Sequence, residues 1–144
     1  MITEKEVGIE MTFREFGRHI VALRILWIVC LVVVIIGSLL PANSAALRAL
    51  DKLDINDKVE HLLAYAALAF LPALHERRRY LIPVFFFAAA LGVLLEFGQL
   101  YSPGRTFDVY DMLADGAGIV LGAIAGLPLR SSIDRRLNSA NRAL

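Results

Sequence analysis

The sequence predicts an all-α integral membrane protein: a four-helix transmembrane bundle with short loops and both termini cytoplasmic. Three observations predict it. Hydrophobic residues fill 58% of the 144 positions and gather into blocks, too rich and too clustered for an ordinary small soluble domain. Each block is near the roughly 20 residues that cross a hydrocarbon core. Basic residues collect on one side of successive blocks, which orients them.

The chain divides into a cytoplasmic N-terminal arm at 1–22, a four-helix membrane domain at 23–129 and a basic cytoplasmic tail at 130–144. The arm mixes acids and bases, and Phe13, Phe16 and Ile20 give it a weak helical stripe. It reads as an amphipathic helix on the membrane surface or as a solvated lead into the first span. Segment one, about 23–40, holds no acid and ends at Pro41 and Asn43. Ser44-Ala45-Ala46 resembles a signal-peptidase site, but the long charged lead and the later spans favour a retained helix.

A polar connection follows at 41–58. Segment two, about Val59 to Leu74, is the shortest and covers roughly 24 Å at 1.5 Å per residue. Lys58 and Arg77 flank it as snorkelling residues. A buried core helix is the alternative for so short a run, and the neighbouring spans favour the membrane. Arg77-Arg78-Arg79 make a basic turn into segment three, Tyr80 to about Leu100, with Pro83 in its first turn. Ser102-Pro103-Gly104 signals a turn. Segment four, about Val109 to Leu127, carries Gly118, Gly122 and Gly126 at four-residue spacing, a face for close helix packing.

Orientation follows from the basic residues. Lys5, Arg14, Arg18, Arg24, the Arg77–Arg79 turn, Arg130, Arg135, Arg136 and Arg142 mark the cytoplasmic side; only Arg48, Lys52, Lys58 and Arg105 lie opposite. The loops at 41–58 and 101–108 therefore face outward.

This orientation gathers the polar residues. Asp57, Lys58 and His61 open segment two; Glu96 and Gln99 close segment three; Arg105, Asp108, Asp111 and Asp115 lead into segment four. All meet at the outer level. Lys58, His61 and Tyr65 share one helical face. Asp111, Asp115, Gly118 and Gly122 share another, so the acids lie above the glycines and point into the bundle. Acids at a helix N-terminus are stabilised by its dipole, an alternative reading for Asp108 and Asp111 that needs no function. It does not explain Asp115, a turn deeper, or Glu96, at the wrong helix end. Glu96 needs a partner among Arg105, Lys58, His61 or a protonated acid.

Other classes are poorly supported. A formal net charge of +1 gives no case for nucleic acid. The single cysteine, Cys30, permits no intrachain disulfide. The sequence has no Cys/His zinc spacing, no Gly-rich phosphate loop and no G-x-S-x-G elbow.

The ordered set Asp57-Lys58-x-x-His61-x-x-x-Tyr65-x-x-Leu68, Glu96-x-x-Gln99 and Arg105-x-x-Asp108-x-x-Asp111-x-x-x-Asp115-x-x-Gly118-x-x-x-Gly122 resembles the VanZ-like family of small bacterial membrane proteins. The resemblance covers about 57–126. It departs at Asp115, where many members carry asparagine, so a hydrogen-bonding role there does not require an anion. The resemblance implies a multi-pass protein of the bacterial cytoplasmic (inner) membrane. It also implies a link to low-level resistance to the glycopeptide teicoplanin, a role many relatives need not share.

Three functions fit these residues. The favoured one is a non-enzymatic envelope factor whose outward polar pocket binds a lipid headgroup, a lipid-linked cell-wall precursor or a glycopeptide antibiotic. Asp57, Lys58, His61, Tyr65, Glu96, Gln99, Arg105, Asp108, Asp111 and Asp115 would line it, with Lys58 and Arg105 placed for a phosphate. The second is a membrane enzyme acting on a lipid-linked substrate, with His61, Glu96 and Asp111 as catalytic candidates. In it His61, Glu96, Asp111 and Asp115 would hold a divalent cation, the only cofactor the sequence points to. One imidazole with carboxylates suits manganese, magnesium or zinc only loosely. The third is a structural ion-pair network that fixes the bundle.

Overall fold

The computed structural model describes the backbone of residues 4–51 and 55–142 and the side chains of 17–49 and 55–132. The protein is all-α, with no strand among the described residues. Its helices are α1 (Glu4–Leu39), α2 (Ala45–Asp51), α3 (Asp57–His75), α4 (Arg78–Gln99) and α5 (Val109–Arg142). Among the described residues three stretches are long and apolar enough to cross a membrane: Gly17–Leu39, Arg78–Gln99 and Val109–Ser132.

The ends differ from the expected boundaries. α1 runs unbroken through the expected arm. At 1.5 Å per residue it is about 54 Å long, well beyond a hydrocarbon core of roughly 30 Å. Phe13 and Phe16 lie outside the described side chains. α5 likewise continues through most of the basic tail. The 41–58 connection contains the short helix α2, capped by Ser44, whose Oγ accepts from Leu47 N at 3.3 Å. Lys52 and Asp54 fall outside the described residues. Because α4 starts at Arg78, Pro83 stands in its second turn.

α3 is the enclosed helix. It packs against α5, α1 and α4, and its largest interface is with α5. Tyr65, Leu68, Ala69, Leu71, Pro72 and Ala73 are all buried. α3 is not among the three candidate spans, and of its apolar residues Val59 and Leu63 remain exposed. α1 and α4 present Val21, Ile25, Val29, Val33, Ile82, Phe86 and Leu94 outward. Apolar exposure on this scale marks a surface that lipid covers.

The α3–α5 contact depends on glycine. A Cβ on Gly118 would collide with the Leu62 carbonyl oxygen, and one on Gly122 with that of Ala66. A Cβ on Gly126 would meet Ala73 Cβ at 2.7 Å and Phe70 O at 3.0 Å. Leu62, Ala66 and Phe70 repeat every four residues, as do the glycines, so the two backbones touch along three turns.

α1 joins through a defect in α3. Pro72 has no N–H, so the Leu68 carbonyl lacks its helical donor. Trp27 Nε1 donates to Leu68 O at 2.9 Å. Around it, Trp27, Cys30, Leu31 and Val34 pack on Tyr65, Leu68, Ala69, Ala88 and Ile119.

Polar ties close both ends. At one, Arg24 Nε lies 2.8 Å from Glu76 Oε1. Arg130 donates to the Glu76 carbonyl. At the other, Ala42 N donates to Pro103 O at 3.1 Å and Ser102 Oγ to Leu39 O at 3.0 Å. Gly104 takes a left-handed φ of 78° in the expected turn.

Two predictions test this packing. Gly118→Leu and Gly122→Leu should each lower stability in detergent by about 1–3 kcal/mol or more, because the clash is with backbone. Unchanged melting of both would place the glycine face against lipid. Trp27→Phe should cost about 1 kcal/mol by orphaning the Leu68 carbonyl. The cost should shrink in a Pro72→Ala background, where the restored backbone N–H can take over; an undiminished cost in that double-mutant cycle would reduce Trp27 to packing alone.

Candidate functional site

The first turns of α3 and α5 and the last turns of α4 meet at the end of the bundle that carries Gly104. Two caps set their level. Asn56 Oδ1 accepts from Lys58 N at 2.9 Å and starts α3. Asp108 Oδ1 accepts from Tyr110 N at 2.8 Å and starts α5. The glycine contact then holds the two helices side by side, with Lys58 and His61 facing Asp108, Asp111 and Asp115.

The cluster is layered. At the rim Lys58 Nζ binds Asp108 Oδ2 at 2.7 Å and Asp111 Oδ1 at 2.9 Å, with Asp57 Oδ2 at 3.6 Å. The Lys58 side chain is 37% exposed. These carboxylates hold its ammonium above the ordinary lysine range, Asp108 first and Asp111 next. The same bond, helped by Tyr110 N–H, holds the Asp108 carboxyl below its ordinary range.

One turn deeper, His61 Nδ1 lies 2.9 Å from Asp115 Oδ1, and Nε2 lies 3.9 Å from Asp111 Oδ2. The first is a hydrogen bond; the second is beyond hydrogen-bond reach. Glu96 is 1% exposed and enters from α4. Its Oε2 accepts from Asp108 N at 3.0 Å. Its Oε1 is the buried side-chain polar atom without a partner among the described residues. One ligand atom each from His61, Glu96 and Asp111 lies within 4.8 Å of the others. Tyr65 is buried beneath, and Gln99 is buried one turn beyond Glu96.

Two expectations are corrected. Arg105 does not join the acids. Its Nη2 donates to Gly37 O at 3.2 Å and its Nε to Leu40 O at 3.3 Å. The last carbonyls of α1 have no intrahelical donor and carry its negative dipole end, so a guanidinium is well placed there. Nor does Glu96 pair with a cation or hydrogen-bond a partner acid; its contact is the backbone N–H at the start of α5, where a carboxylate suits the helix dipole.

Gly92 was not among the sequence candidates. A Cβ there would sit 2.5 Å from Asp115 Oδ2 and 3.2 Å from Tyr65 Oη. The missing side chain leaves space on α4 for the Asp115 carboxylate. The available signal was spacing: Gly92 lies one helical turn before Glu96 on the same face.

The arrangement can hold a cation among buried oxygens and one imidazole. It can also offer an ammonium at its rim to an anion. The long apolar helices and their outward apolar faces describe a membrane protein. The VanZ/LLP1 family model matches residues 11–129, and the chain belongs to that family. No curated protein and no solved structure matched the chain.

Gly92→Ala should push Asp115 off His61 and lower stability in detergent by about 1–3 kcal/mol. Melting equal to wild type would show that α4 can retreat without disturbing the cluster.

Proposed function

We propose that this is a multi-pass protein of the bacterial cytoplasmic membrane whose polar cluster, at the outer ends of α3, α4 and α5, binds the headgroup of a lipid or lipid-linked ligand. The candidates are a membrane phospholipid, a lipid-linked cell-wall precursor and a glycopeptide antibiotic. Binding the last would give low-level resistance. The single observation carrying this reading is Lys58 at the rim, a cation already engaged by two carboxylates above a buried polar layer. An incoming phosphate would exchange with Asp108 for the ammonium.

The bundle would consist of four spanning helices, α3 being the sheathed one, with both termini inside. Arg24 and Arg130 meet Glu76 at one end, and the basic Arg77–Arg79 turn is adjacent in sequence. The positive-inside bias assigns that end to the cytoplasm and the cluster to the outer face.

A membrane enzyme acting on a lipid-linked substrate is the second reading. It is favoured by the buried Glu96 and Asp111 facing His61, residue types that carry proton transfer.

The test is binding to purified protein in nanodiscs. A phosphatidylglycerol, a polyprenyl pyrophosphate and a teicoplanin-type glycopeptide should be compared. At least one should bind, and Lys58→Gln should weaken it tenfold or more. Binding indifferent to Lys58→Gln, or none by any probe, would sink the pocket reading. Hydrolysis of the pyrophosphate that is lost in His61→Ala would favour the enzyme.

A further inference from the structure

We infer that His61, Glu96 and Asp111 form a binding site for a divalent cation of the zinc or manganese class, with Asp115 as the residue that positions the imidazole. The inference rests on reading this cluster as a functional pocket and gives it a resident ion.

Four observations converge on it. The first is distance. One ligand atom from each residue lies within 4.8 Å of the others. Two ligands bound at about 2.1 Å across a tetrahedral angle stand roughly 3.4 Å apart. Side-chain adjustments of about an ångström therefore close the set around an ion. His61 Nε2 and Asp111 Oδ2, at 3.9 Å, already stand near that separation and are too far apart to hydrogen-bond.

The second is the orphaned oxygen. Glu96 is 1% exposed, its Oε2 is used by Asp108 N–H, and its Oε1 has no partner among the described residues. A buried carboxylate oxygen left without a donor is costly. A cation would supply what no described side chain there supplies.

The third is the orientation of the imidazole. Nδ1 stands 2.9 Å from Asp115 Oδ1. An ionised carboxylate only accepts, so Nδ1 carries the hydrogen. In the neutral ring the lone pair is then on Nε2, the nitrogen that faces Asp111. A carboxylate behind a histidine, fixing its tautomer and orientation, is the usual support of a metal-bound imidazole. Asparagine could accept that hydrogen bond through its carbonyl, so this role does not require an anion.

The fourth is charge. Glu96, Asp108, Asp111 and Asp115 gather against one ammonium, that of Lys58, while Arg105 is committed to the end of α1. A divalent ion would balance most of the excess. One nitrogen and two carboxylate oxygens suit zinc or manganese better than magnesium, which prefers oxygen and water. Three protein ligands leave coordination positions open. Asp111 would bridge the ion to Lys58, so a phosphate at the rim could meet both cations.

The experiment uses full-length protein purified in detergent and treated with chelator, then given Zn²⁺ or Mn²⁺ alone. No organic ligand is needed, so it can fail while headgroup binding succeeds, and the reverse. Wild type should retain about one ion per chain after gel filtration and melt at higher temperature with metal. Glu96→Gln, nearly isosteric, should weaken binding tenfold or more, as should His61→Ala. Asp115→Ala should weaken it about 10–100-fold, as loss of an outer-shell partner does. Asp115→Asn should retain more of it. Cys30→Ser, which removes the only thiol, should bind as wild type. Should His61→Ala fail to fold, Glu96→Gln decides the matter. Wild type without retained ion or melting shift at millimolar metal would overturn the site. So would Glu96→Gln binding as wild type. A Glu96→Gln protein more stable than wild type and indifferent to metal would also overturn it, making Glu96 a proton-sharing carboxyl instead.

Discussion

The backbone contact between α3 and α5 is the constraint on which the rest depends. With hydrogen in place of a side chain at Gly118, Gly122 and Gly126, α5 lies directly on the Leu62, Ala66 and Phe70 turns of α3. Lipid tails are as apolar as leucine, so association in a bilayer draws mainly on close packing of this kind. The same contact fixes the heights of the polar residues above it. Asp115 lies one turn above Gly118, and His61 stands beside Leu62. The His61–Asp115 bond is therefore a consequence of glycine packing lower in the interface.

α4 and α1 complete the cluster in different ways. α4 contributes a carboxylate, Glu96, and an absence, Gly92. The first reaches the start of α5, where orphan N–H groups attract an anion. The second makes room for Asp115. α1 contributes no side chain to the cluster but removes one from it, since its terminal carbonyls hold Arg105. Acids that sequence alone would pair with Arg105 are thereby left in excess at the buried end of three helices. A unit charge at mid-helix costs about 2.5–3.5 kcal/mol on insertion scales, and less toward the interface. The placement of the cluster in terminal turns limits that cost without removing it.

The sequence contained most of the arrangement, for identifiable reasons. Helical spacing placed Lys58, His61 and Tyr65 on one face, and Asp111, Asp115, Gly118 and Gly122 on another, because a 3.6-residue period is local. The close approach of α5 followed from the size of glycine. What escaped was either non-local or continuous. The bond from Arg105 to α1 spans more than sixty residues, and nothing near Arg105 favours a carbonyl over a carboxylate. A helical arm and tail were expected, but not their continuity with the spans, because hydropathy marks where a membrane span ends and not where a helix ends. Gly92 escaped because its role is the space it leaves for a residue of another helix.

Pro72 shows how these levels connect. It removes a donor from the most enclosed helix, where water cannot repair the loss. The vacant Leu68 carbonyl becomes the docking point of Trp27 and so attaches α1 to the core. α1, once attached, brings its C-terminal carbonyls to the loop that carries Ser102 and Arg105. One helix, α1, thus touches both the backbone defect near one end of α3 and, through Arg105, the charge balance at the other. With Arg105 held there, the cluster keeps an excess of carboxylates over cations, and that is the feature an ion or a cationic group would answer.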